Sequence, residues 1–132
     1  MQLGHIALSV SNLKRSEAFY KKFFGVRCVA RYAHPDKGMV IALLKKGSLT
    51  LELFEFKKRK ALPQYRRTLD ADLRTLGVKH FSVEVGNIMS WFTKCKKAHC
   101  AFATEMRTFD NGKRYFFVKD PDGIMIEFME AL

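Results

Sequence analysis

The chain has 132 residues, 48% hydrophobic and 13% aromatic, which is enough for one domain or for two small modules sharing a buried core. No run approaches the roughly 18 apolar residues that span a bilayer, and Met1-Gln2 leads straight into a strand pattern rather than a secretory leader. A net charge of +11 would suit an anionic partner, yet the lysines are scattered and no nucleic-acid-binding signature accompanies them; the expectation is a solvated basic surface with a leaning toward anionic small molecules, and neither nucleic acid nor membrane as partner.

Residues 3–10 alternate as a strand, with Ile6, Leu8 and Val10 toward a packed layer and His5, Ala7 and Ser9 on the other face. Asn12 is placed to cap a helix that runs to about Phe24, where Gly25 stops it. Strands are expected at about 26–33, 39–45 and 48–56, with turns at Pro35-Asp36-Lys37-Gly38 and Lys46-Gly47. In the last of these strands Leu51 and Leu53 share a face and Glu52 points the opposite way. Residues 57–77 break the pattern; Pro63 would start a helix carrying Tyr65, Leu69, Leu73 and Leu76 at helical spacing, ended by Gly77. A strand follows with His80, Ser82 and Glu84 on one face. Asn87 then caps a helix with Ile88, Trp91, Phe92 and Cys95 inward. Strands near 101–107 and 113–119 are joined through Asp110-Asn111-Gly112. The turn Asp120-Pro121-Asp122-Gly123 launches a last strand to residue 130, with Ile124, Ile126 and Phe128 on one face and Met125, Glu127 and Met129 on the other.

The chain repeats itself. Glu52 and Glu127 are 75 positions apart, and so are His5 and His80, and the cap residues Asn12 and Asn87. This predicts an α+β fold of two βαβββ modules, about 1–56 and 78–132, joined by a 57–77 linker within a single domain. Their curled mixed sheets would form half-barrels around a central metal cleft, with the helices outside. A glutamate in an otherwise apolar strand is costly to bury alone. Two imidazoles and two carboxylates pooled from the open faces would suit a divalent zinc, nickel, cobalt, iron or manganese ion. Ala7, Ser9 and Ser82 leave room for a substrate beside it. Elsewhere, His34 reads as a loop residue and His99 as a cation near a helix end. Glu55 and Glu130 read as solvated residues at strand ends, and Lys57 to Lys60 as a solvated loop. Cys28, Cys95 and Cys100 read as small buried residues in a reducing, cytoplasmic setting.

His5, Glu52, His80 and Glu127, with Gly4-His5-Ile6, Phe19-Tyr20, Phe24-Gly25, Lys79-His80-Phe81 and the run from Tyr115 through Asp120-Pro121-Asp122-Gly123 to Ile126-Glu127-Phe128, resemble the vicinal oxygen chelate superfamily. That superfamily includes glyoxalase I, fosfomycin- and bleomycin-resistance proteins, methylmalonyl-CoA epimerase and extradiol dioxygenases, and the resemblance spares only the linker. It implies a metal-dependent glyoxalase-like lyase or isomerase, with zinc or nickel first among the metals. The metal would hold adjacent oxygens of a small substrate, and Glu52 or Glu127 would shuttle a proton. Ser9, Ser82 and Glu84 are candidate substrate contacts from their strand faces alone, and the resemblance assigns Glu84 no role. Ser9 stands where glyoxalase I has an arginine that grips glutathione, and Glu52 stands where the epimerase typically has glutamine. A metal-free drug- or metabolite-binding protein and a nonheme iron dioxygenase using His5, His80 and Glu127 are the alternatives. The resemblance also implies a homodimer, with modules paired within a chain or swapped between chains.

Overall fold

A computed structural model describes residues 1–131. The chain forms two compact units, 1–61 and from Leu62 onward, each an α+β arrangement with a mixed sheet that does not close into a barrel. No helix among the described residues is long and apolar enough to cross a membrane.

In the first unit, β1 (Ile6–Val10), α1 (Leu13–Phe24), β2 (Arg27–His34), β3 (Met39–Lys46) and β4 (Leu49–Phe56) follow one another. The sheet order is β1-β4-β3-β2, with β1 parallel to β4 and the other pairs antiparallel. α1 starts where expected: the Asn12 side chain accepts a hydrogen bond from the Arg15 N–H at 2.8 Å. At its far end the Gly25 N–H closes on Lys21 O, with Gly25 at φ 68°, a conformation open to glycine at little cost. Leu13, Tyr20 and Phe23 bury the helix face. The buried side of the sheet carries Leu8, Val10, Ala42, Leu44, Leu51 and Leu53. Glu55 is not the solvated strand-end residue expected. Its carboxylate accepts the Leu13 N–H at 2.6 Å, meeting one of the unsatisfied donors at the start of α1 and the positive end of the helix dipole.

In the second unit, α2 (Leu69–Leu73), β5 (Phe81–Val85), α3 (Ile88–Lys97), β6 (Ala101–Phe102), β7 (Arg107–Thr108), β8 (Arg114–Lys119) and β9 (Met125–Glu130) repeat the pattern in the order β5-β9-β8-β6, with β7 also on β8. Asn87 caps α3 through the Ser90 N–H. The core is aromatic: Phe116 stacks on Phe128 at 5.1 Å and meets Phe92 edge-on at 5.1 Å, while Trp91 stacks against Phe128 at 5.4 Å. The expected turn before β9 is present. The buried Asp120 carboxylate accepts from the N–H groups of Asp122 and Ile124, at 2.9 and 2.8 Å, so its burial leaves nothing unsatisfied on that side. Glu130 also departs from expectation: it accepts from the Arg114 backbone N–H and from both Nε and Nη2 of that guanidinium. These bonds hold the Glu130 carboxyl below its usual range.

The helix expected from Pro63 to Gly77 is cut short. A single 3₁₀ turn covers Gln64–Arg66, Thr68 is extended, and α2 has five residues. Tyr65, Leu73 and Leu76 are exposed. What this segment buries is Asp72, at 2% exposure. A polar cluster rather than an apolar stripe therefore organises it.

The cysteines differ from one another. Cys28 is exposed on β2, an edge strand, contrary to the expectation that it would be buried. Cys95 is buried, and burial together with nearby Cys100 pushes its thiol up to about 12. Ellman's reagent at pH 8 is expected to label Cys28 at least about 100-fold faster than Cys95 in the folded protein, the difference vanishing in denaturant; labelling of Cys95 at a comparable rate would contradict this core.

Candidate functional site

Each unit brings its own histidine and glutamate together. In the first, β1 and β4 run side by side with Ala7 opposite Glu52. His5 stands two residues before Ala7 and so shares the Glu52 side of the sheet. His5 Nε2 lies 3.3 Å from Glu52 Oε2, the two side chains being 52% and 22% exposed. In the second, Ser82 is opposite Glu127 across β5 and β9, and His80 Nε2 lies 3.4 Å from Glu127 Oε2, with side chains 25% and 10% exposed. The parallel pairing of first and last strands is what converts a 75-residue sequence offset into two equivalent pairs. Among the described residues no group of three or more His, Cys, Asp and Glu side chains gathers tightly enough to hold a metal ion.

The two pairs differ in their surroundings. Glu127 lies between Met125 and Met129 on β9 and opposite Phe117 of β8, all three buried. The His80 ring meets Phe117 edge-on at 4.9 Å. His80 Nδ1 is buried without a hydrogen-bond partner among the described residues, a state that costs free energy unless something polar completes it. Glu52 sits across from Ala7 and Leu43, in a more open setting. Ser9, Ser82 and Glu84 are exposed on the strand faces that carry His5 and His80, and Glu84 is opposite Met129.

Sequence reasoning missed an aromatic series next to the second pair. Phe109 stacks on Tyr115 at 4.1 Å, Tyr115 meets Phe117 at 6.0 Å, and Phe117 meets His80. The signal was present in β8: Tyr115 and Phe117 have the parity that faces Glu127, and Phe116 and Val118 the parity that faces the core. Such a platform can receive a flat or apolar part of a ligand beside the polar pair.

The donor set can be tested against a divalent ion from chemistry alone. Imidazole nitrogens and carboxylate oxygens are the ligands that zinc, nickel, iron, cobalt and manganese accept. Among the described residues, a nearly buried carboxylate paired with an imidazole, and an imidazole with an orphaned nitrogen, lack a compensating charge that an ion supplies. The residues fit.

The sequence profile of the Glyoxalase/Bleomycin resistance protein/Dioxygenase superfamily matches residues 2–128. Human mitochondrial methylmalonyl-CoA epimerase is 26% identical, over 98% of this chain and 74% of its own length. The lactoylglutathione lyase of Neisseria meningitidis serogroup A is 26% identical, over 98% of this chain and 91% of its own. The crystal structure of a glyoxalase family protein from Enterococcus faecalis superposes with a TM-score of 0.83 at 27% identity, covering 98% and 97% of the two chains.

Proposed function

The chain belongs to the Glyoxalase/Bleomycin resistance protein/Dioxygenase superfamily, and from that premise we propose that it is a metal-dependent lyase or isomerase acting on a small molecule with adjacent oxygens. The observation that carries this reading is the duplicated histidine–glutamate pair, 3.3 Å apart in one unit and 3.4 Å in the other. His5, Glu52, His80 and Glu127 would hold the ion, in a protein that assembles as a homodimer. When bound, a divalent ion supplies Lewis-acid polarisation of the substrate oxygens. The chain's own groups do the rest. One glutamate, Glu52 or Glu127, takes a proton from the substrate carbon and returns it to the neighbouring position. Ser9, Ser82 and Glu84 contact the substrate from the same strand faces, and Phe117 with Tyr115 keeps water from one side of the pair.

A thermal-shift series over zinc, nickel, cobalt, manganese and iron(II) tests the metal half of this reading. A preferred ion at a hundred times its Kd is expected to raise the midpoint on the order of 10 °C, and the gain should disappear in His80→Ala. Loaded protein is then expected to turn over the hemithioacetals of methylglyoxal with simple thiols. No shift with any of these ions, and ligand binding indifferent to chelators, would instead mark a metal-free binding protein.

A further inference from the structure

The positive charge is distributed unevenly. Residues 1–61 carry 13 Lys and Arg against 4 Asp and Glu, whereas residues from 62 onward carry 11 against 9. Three of the four acids in the first unit are already engaged: Glu17 with Arg31, Glu52 with His5, and Glu55 with the Leu13 N–H.

Strand register shows where two of the cations stand. Arg27 of β2 is directly opposite Lys45 of β3, and Lys45 is opposite Thr50 of β4. His5 immediately precedes Ile6, whose partner is Leu51, so His5 continues the same row past Thr50. Residues opposite one another share a face of the sheet, and Thr50 has the parity of Glu52. The row Arg27–Lys45–Thr50–His5 therefore runs across the open face and ends at the candidate metal ligand. With strands about 4.8 Å apart, Lys45 stands about 10 Å from His5 and Arg27 about 14 Å, measured between backbones.

Like charges directly opposite one another weaken a sheet. Both side chains are exposed, and neither takes part in an ion pair among the described residues, so the fold gains nothing from this pairing. The duplicate unit provides the control. Its matching row is Ala101–Lys119–Met125 leading to His80: the position of Arg27 is alanine, and the single lysine is occupied by Arg67 O at 2.6 Å. The second unit avoids the repulsion that the first one keeps.

We propose that Arg27 and Lys45 form an anion clamp for the substrate, which is thus a vicinal-oxygen compound carrying a carboxylate or phosphate on the order of 10 Å from its reacting oxygens. This rests on the reading of His5 as part of the reactive centre. A doubly charged anion between two unpaired cations relieves their mutual repulsion and accepts charge-assisted hydrogen bonds from both.

The test uses metal-free protein at low salt, titrated calorimetrically with pyrophosphate and with succinate. Wild type is expected to bind at least one probe saturably. The double variant Arg27→Ala/Lys45→Ala is expected to bind it at least about tenfold more weakly, with zinc binding unchanged and the unfolding midpoint unchanged or higher. Preference for pyrophosphate assigns a phosphate-bearing substrate, and preference for succinate a carboxylate-bearing one. Equal binding by wild type and variant, or no binding of either probe by wild type, overturns the clamp. His5→Ala separates the two readings: it should abolish zinc binding and leave the anion titration intact. A wild type that binds the anion but no metal would strike the metal reading alone.

Discussion

Glutamine in place of Glu127 is expected to lower turnover of a loaded enzyme by about 10²–10⁴-fold, the range that positioned acid–base groups command, and at the same time to stabilise the metal-free protein. The two effects have one cause. Glu127 is 8% exposed among Met125, Met129 and Phe117, so the metal-free fold bears the cost of a carboxylate whose ion-pair partner among the described residues is the His80 imidazole. Glutamine keeps the shape and removes the charge, which relieves the apo protein and deprives the bound ion of a ligand. Thermal scans with and without zinc or nickel, beside steady-state rates, read both effects: the apo midpoint should rise and the metal-induced gain should shrink. Glu52→Gln should change the apo midpoint less, because the Glu52 side chain is 22% exposed. A Glu127→Gln protein that is less stable without metal and equally stabilised by it would show the pair to be a structural contact.

Much of this site was legible because local signals and the repeat agreed. Asn12 and Gly25 delimit α1 through hydrogen bonds that each residue makes within its own helix, and alternation alone put His5 and Glu52 on the faces opposite Leu8, Leu51 and Leu53, and His80 and Glu127 on the faces opposite Phe81, Ile126 and Phe128. What was not legible depends on partners distant in sequence. Glu55 meets Leu13 across 42 positions, and no local pattern marks that contact. The strand expected at 101–107 is two short pieces, Ala101–Phe102 and Arg107–Thr108. Between them Thr104, a good strand former by propensity, turns inward to accept the Phe117 N–H at 3.1 Å. A side chain that substitutes for a ladder carbonyl looks in sequence like any other strand threonine. The row of Arg27 and Lys45 emerges only once register is known, since a bulge separates Arg27 and Cys28 from the rest of β2.

The linker was misread for the same reason, and its cluster carries the second large effect. Asp72→Ala is expected to destabilise the protein by about 3 kcal/mol, measured by urea unfolding at pH 7. Arg66 Nε donates to Asp72 Oδ1 at 2.9 Å and Lys79 Nζ approaches the same oxygen at 3.2 Å. Lys79 Nζ also donates to the Asp72 and Thr75 carbonyls, and Arg66 Nη2 to Val78 O at 2.8 Å. Removing the carboxylate leaves Lys79, whose side chain is 16% exposed, without its counter-charge. Burial pushes the Asp72 carboxyl up, but the hydrogen bonds and charges of Arg66 and Lys79 outweigh it and leave it below its ordinary value of 3.8. A carboxyl depressed in the folded state stabilises fully above its unfolded value and loses that contribution as pH falls through the folded one. The stability gap between wild type and Asp72→Asn should therefore hold constant from about pH 5 to 8 and close only below about pH 4. Because the cluster fixes Val78 and Lys79 immediately before His80, the same variant should weaken zinc binding by about 10–100-fold, as loss of an orienting partner does. A variant that loses stability yet binds zinc as wild type does would confine Asp72 to holding the linker in place.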